Sequence, residues 1–182
     1  MLSFTAEVFF ATVAHYNAAI WPAQIVATLF GLAVIVLAIK PRAGANRIIG
    51  ATLAAAWLWT GAVFHFGHFA QIFFLSPLFG ALFAAQGLLI GWTCVLRGKL
   101  DCRFRGGIAG WSGLTLLILA VTLYPLLALG AGDHVFNLQT FGVTSLPTTI
   151  FTIGVLIMTA RQTHAYLVVI PALWTLIAAA MA

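Results

Sequence analysis

Charge is what this sequence has least of. Only 6% of its 182 residues are charged, against about 25% in an ordinary soluble domain. No hydrophilic stretch is long enough to fold by itself, which excludes a separate soluble domain and leaves one integral membrane unit over residues 1–182. Cysteine is scarce too. Cys94 and Cys102 lie on either side of Arg97 and Lys99, match no compact metal motif, and fall at an end expected to be cytoplasmic, where a disulfide is not expected. No basic residue precedes Lys40, so the cationic start of a cleavable signal peptide is missing and the N-terminus is expected to be kept. No charge stands near the middle of any apolar stretch. That absence argues against an ion-coupled pump built on a buried carboxylate relay.

The cations that remain are confined to three gaps. Lys40, Arg42 and Arg47 fill the first, Arg97, Lys99, Arg103 and Arg105 the second, and Arg161 the third. Between the gaps run stretches of about 20 apolar residues, the length that crosses a hydrocarbon core as a helix. The pattern predicts an all-α, polytopic membrane protein with six spans, over residues 21–39, 48–69, 77–96, 108–129, 141–160 and 165–182. Residues 1–18 mix Phe4, Val8, Phe9 and Phe10 with Glu7, His15 and Asn17, which suits a helix lying in the interface. Short cationic loops stay cytoplasmic, so both termini are expected outside, in a bacterial inner membrane. The net charge of +5 then faces anionic lipid headgroups, and no nucleic-acid partner is expected.

Polar side chains gather at the outer end. His65 and His68 stand one helical turn apart in the second span, and positions i and i+3 share a helix face. Glu7, His15, Asp133 and His134 fall on the same side of the membrane. Three readings compete for this cluster. Imidazoles with carboxylates can ligate a transition metal, or the histidines can hold a haem. A histidine group near pKa 6.5 can bias a gate on mild acidification. The third reading is that these residues hydrogen-bond one another at a wet interface.

The fifth span is the second unusual feature. Thr144, Ser145, Pro147, Thr148, Thr149 and Thr152 place five hydroxyls and a proline within nine residues. Either the hydroxyls satisfy their own helix, or the helix is broken near Pro147 and lines an aqueous path for a small polar solute. Gln86, near the middle of the third span, is a further candidate for that path. Gly80, Ala84, Gly87 and Gly91, and then Gly106, Gly110 and Gly113, form small-residue stripes that let helices approach closely, within one bundle or between protomers of a homo-oligomer.

The runs Phe4-Thr5-Ala6-Glu7, Asn17-Ala18-Ala19-Ile20-Trp21-Pro22, Thr140-Phe141-Gly142 and Pro147-Thr148-Thr149-Ile150-Phe151-Thr152 resemble an uncharacterised family of small bacterial integral membrane proteins, a domain of unknown function. That resemblance implies a fold and no activity. The Leu78-Phe79-Gly80-Ala81-Leu82-Phe83 stretch is loosely similar to the urea and short-chain amide channels, whose architecture is also six helices with both ends outside. The leading expectation is therefore a non-enzymatic, passive channel or facilitator for a small uncharged polar solute, with the outer histidines as its gate. The alternatives are a metal- or haem-binding membrane protein using His65 and His68, and an accessory subunit of a larger membrane complex.

Overall fold

The computed structural model of the chain describes residues 5–126, 138–159 and 165–181, and helix is the only regular secondary structure among them. Seven helices follow in order: α1 (Ala6–Ala19), α2 (Ala23–Ile39), α3 (Ala45–Gln71), α4 (Ser76–Leu96), α5 (Gly107–Leu126), α6 (Ser145–Met158) and α7 (Tyr166–Met181). Local chemistry sets several of their ends. Thr5 caps α1 by accepting from the Val8 N–H at 3.4 Å. Gly44 enters α3 at φ +80°, a conformation that an L side chain would strain. Pro77 sits in the first turn of α4, where its missing N–H removes no helical bond.

α3, α4 and α5 are long and apolar enough to cross a membrane, and the bent α1–α2 pair makes a fourth crossing if taken as one unit. α1 meets α2 at 86°, so the expected interfacial segment is set almost at a right angle to the helix that follows. α6 and α7 are shorter. With 14 residues at about 1.5 Å each, α6 reaches roughly 21 Å, less than a hydrocarbon core of about 30 Å. The broken fifth helix expected near Pro147 needs correction. Residues 141–143 form a turn and α6 begins only at Ser145, so Pro147 lies in a first turn and interrupts nothing.

Three helices leave α-helical bonding along part of their length. Thr60–His68 in α3, Gly91–Leu96 in α4 and Leu119–Leu123 in α5 adopt the wider π form, with i→i+5 bonds such as Arg97 N–H to the Trp92 carbonyl at 3.0 Å.

α3 and α6 meet at the centre, where buried Trp57 donates its Nε1–H to Thr152 Oγ1 at 2.8 Å. α5 packs most extensively on α6. Gly113 and Gly154 make that approach close: a Cβ on Gly113 would stand 2.5 Å from the Gly154 carbonyl oxygen. α3 and α4 close in the same way, with a Cβ on Gly61 falling 2.8 Å from the Gly80 carbonyl oxygen and one on Gly87 falling 3.0 Å from that of Ala54. The small-residue stripes are therefore engaged within the bundle. At the opposite end, the connection after α4 tucks beneath α2 and α3. Phe104 N–H donates to the Ala38 carbonyl at 2.8 Å, and Cys102 N–H donates to Asn46 Oδ1 at 3.0 Å. Both cysteines are buried free thiols.

Candidate functional site

The π-helical stretch of α3 decides where the histidines go. A wide turn spreads over more than four residues, so positions three apart no longer stack on one face. His65 turns into the core and is fully buried. Its Nδ1 lies 3.2 Å from Ser76 Oγ and its Nε2 lies 2.8 Å from Ser145 Oγ. The Ser76 hydroxyl donates to the His65 carbonyl at 2.9 Å, so its one proton is already engaged. Nδ1–H must then donate to Ser76 Oγ, and Ser145 Oγ–H donates to Nε2. The result is a neutral imidazole with both nitrogens occupied. Phe83 and Trp174 enclose it, with ring centroids at 4.9 and 5.2 Å. His65 thereby fastens α3 to the starts of α4 and α6.

His68 goes elsewhere. Its Nδ1–H donates to the Val63 carbonyl at 3.0 Å, and its ring meets Tyr16 at 5.0 Å and His15 at 6.2 Å between centroids. The structure thus brings His15 to His68 and leaves His65 apart from both. Glu7 is exposed on the first turn of α1, while Asp133 and His134 lie outside the described residues. Among the described residues, no group of three or more His, Cys, Asp or Glu side chains is placed to hold a metal ion. With both His65 nitrogens engaged and His68 turned to Val63 and Tyr16, the two rings are not brought together as the metal or haem reading requires.

The hydroxyls of α6 form a ladder along their own helix. Thr144 Oγ1 donates to the Thr140 carbonyl at 3.0 Å, Thr148 to Thr144 at 2.6 Å, Thr149 to Ser145 at 2.8 Å and Thr152 to Thr148 at 2.8 Å. Thr148 Oγ1 also accepts from the Gly142 N–H at 2.9 Å, which pins the turn at 141–143 to α6. All four threonines are buried, and none of the four cavities described for the molecule is lined by Thr144, Ser145, Pro147, Thr148, Thr149 or Thr152. Each threonine hydroxyl thus has an acceptor one turn back, which is the local alternative to a pore-lining role. Gln86 is buried as well. Its Nε2 donates to the Leu167 carbonyl at 2.9 Å, joining α4 to α7, and its Oε1 has no hydrogen-bond partner.

Two cavities flank α2 instead. A groove of about 670 Å³ runs between α2, α3 and the 141–143 turn. Ala27, Ala55 and Gly142 line it together with Phe30, Trp59 and Phe141, and its surface is almost wholly apolar. At its end nearer α1, Trp59 Nε1–H donates to Tyr16 Oη at 3.1 Å, and Tyr16 O–H donates to the Val143 carbonyl at 2.7 Å. On the other side of α2, a cavity of about 290 Å³ is lined by Asn17, Gln24, Thr28 and Thr140. There Gln24 Oε1 and Thr140 Oγ1 are buried without a partner. The spacing Ala23/Ala27 on α2 and Ala51/Ala55 on α3 is the sequence signal that would have located the groove.

Apolar helices joined through glycine, with hydroxyls turned inward and large residues such as Leu29, Phe74 and Ile108 outward, make this an all-helical bundle with an apolar exterior. The chain belongs to the family of unknown function DUF6064, whose model matches residues 6–182. The resemblance to an uncharacterised family, drawn from motifs near the start and at residues 140–152, is thus correct. No curated protein and no solved structure matches it.

Proposed function

We propose that this chain is a bacterial inner-membrane protein with six crossings and both termini outside, and that it binds the apolar chain of a membrane amphiphile in the α2–α3 groove. The crossings are α2 to α7, with α1 lying in the outer interface; the short α6 crosses only where the bilayer thins around it or the turn at 141–143 completes its path. Support for the topology comes from the gaps that hold the eight cations, all of which fall on one side in this arrangement. A cytoplasm-active reporter fused to the C-terminus should stay silent, and a strong signal would mean a miscounted crossing.

The observation that carries the binding role is the groove itself. It holds about 670 Å³ of apolar space along helices whose outer faces are already apolar, so water has nothing there to bond and a hydrocarbon chain fills it without loss. Ala55→Trp would occupy the groove. The purified protein should then lose co-purifying lipid in native mass spectrometry while keeping its elution volume. Undiminished lipid in that variant would refute the role.

A second reading has one observation in its favour. The unpartnered Gln24 Oε1 and Thr140 Oγ1 belong to residues lining the 290 Å³ cavity, and a rotation of either side chain would present an acceptor or a hydroxyl to a small neutral polar solute. Flux of such a solute into proteoliposomes, reduced by Thr140→Val, would favour a facilitator. Equal flux with protein-free liposomes would remove this reading.

A further inference from the structure

The end of the bundle opposite the histidines holds a cavity of about 540 Å³ at the first turn of α3. Arg42, Arg47 and Arg103 line it, and no acid does. Arg103 is held from behind: its Nε donates to Asp101 at 2.9 and 3.2 Å, which leaves its two Nη groups for the cavity. Among the described residues, Arg42 and Arg47 take part in no ion pair. Asn46 also lines the cavity, and with its Oδ1 accepting the Cys102 N–H its side-chain NH₂ adds donors there. The start of α3 adds the positive end of a helix 27 residues long. Arg42 and Arg47 share this space with no carboxylate between them, and the planar forks of all three guanidiniums match phosphate oxygens.

Position identifies the source of the anion. Ile48, at the inner end of the apolar groove, directly follows Arg47 along α3, so the cationic cavity and the groove adjoin on one helix. An anionic head with an acyl chain attached has the shape of the two together. We propose that Arg42, Arg47 and Arg103 bind the phosphate of an anionic glycerophospholipid whose chain lies in the α2–α3 groove. This inference rests on the amphiphile reading and names its ligand. Asp101 serves as a positioning residue that aims Arg103, and it does not touch the lipid.

The test uses the full-length protein in neutral detergent, with phosphatidylglycerol and phosphatidylcholine as probes in native mass spectrometry. Phosphatidylglycerol should be retained more tightly than phosphatidylcholine. Arg42 and Arg47 are exposed, so Arg42→Gln with Arg47→Gln should leave the fold intact and weaken phosphatidylglycerol by about 25-fold, roughly fivefold for each surface cation. The same pair should weaken phosphatidylcholine far less, because its choline ammonium offsets the charge of its phosphate. Equal retention of the two lipids by the wild type, or an unaltered preference in the double variant, overturns the phosphate site. If Ala55→Trp leaves phosphatidylglycerol bound while the arginine variant does not, the phosphate site stands and the groove fails. Inorganic phosphate is the third probe. Displacement of the lipid by millimolar inorganic phosphate would make the cavity a free-anion site and overturn the lipid assignment.

Discussion

Replacing Gly113 by alanine places a methyl carbon 2.5 Å from the Gly154 carbonyl oxygen and 2.5 Å from Met158 Cγ. A side chain can swing away from such a contact, but a helix carbonyl cannot, so α5 and α6 must separate. Overpacking of this kind costs about 1–3 kcal/mol, and a backbone obstacle puts Gly113 near the upper end. Alanine returns about 1 kcal/mol through its better helix propensity. The net expectation is a loss of about 2 kcal/mol, which for a chain of this size lowers the melting temperature by roughly 4–8 °C. Gly67 supplies the control, because a Cβ there would meet nothing closer than the Ala62 carbonyl at 3.7 Å. Gly67→Ala should therefore raise the melting temperature by a few degrees, about 1 kcal/mol of propensity with no steric charge against it. Thermal unfolding of the two variants in one detergent, followed by tryptophan fluorescence, compares them directly. Equal shifts, or a more stable Gly113→Ala, would refute the reasoning that glycine is required where α5 and α6 touch.

His65→Leu should lower stability by about 2 kcal/mol, since it leaves the buried Ser145 hydroxyl without an acceptor, whereas adding Ser145→Ala should recover most of the loss in the same unfolding assay. Burial alone would raise the Asp101 carboxyl, but its bonds to Arg103 and Arg105 outweigh that and hold it below the ordinary value of 3.8. A depressed carboxyl contributes stability above its unfolded pKa and loses it as pH falls through the folded one, so the Arg103 clamp should be insensitive between about pH 5 and 8. The melting-temperature difference between the wild type and Asp101→Asn should therefore stay constant across that range, and Asp101→Asn should reproduce at pH 7 the weaker lipid preference expected of a loosened Arg103. Burial pushes the Cys102 thiol up to about 12, so a soluble maleimide at pH 7 should label it only after unfolding, and rapid labelling of folded protein would show the α4–α5 connection to be open.

The helices were legible wherever a periodic apolar run ended at a charge or glycine. Lys40 and Gly44 bracket the α2–α3 turn, and Arg97 closes α4, because desolvating a cation is costly enough to dominate every local preference. Pro147 was legible only as an oddity. Its meaning depends on where the helix starts, and the turn at 141–143 that fixes that start is held by Thr148 from inside α6. The histidines show the limit most clearly. Spacing by three assumes α-helical turns, and nothing in Thr60-Gly61-Ala62-Val63-Phe64-His65 announces the π form. The arginines of the phosphate site were visible as topology markers. Their convergence on one cavity depends on Cys102 N–H bonding to Asn46 across the bundle end, a contact 56 residues apart in sequence.

The wide-turned stretch of α3 also holds a surplus. A ring closed over i→i+5 contains one residue more than an α-helical ring, so the stretch can give one up and relax to ordinary pitch. Deleting Phe66 or Gly67, both exposed, would shorten the loop side of α3 while leaving Ala45–Trp59 in register with α2 and α4. The same deletion within Ala45–Trp59 would rotate Trp57 off Thr152 and the rest of the helix with it. Length variation among descendants of this sequence should therefore gather just beyond His65, where slack and anchor are neighbours on one helix.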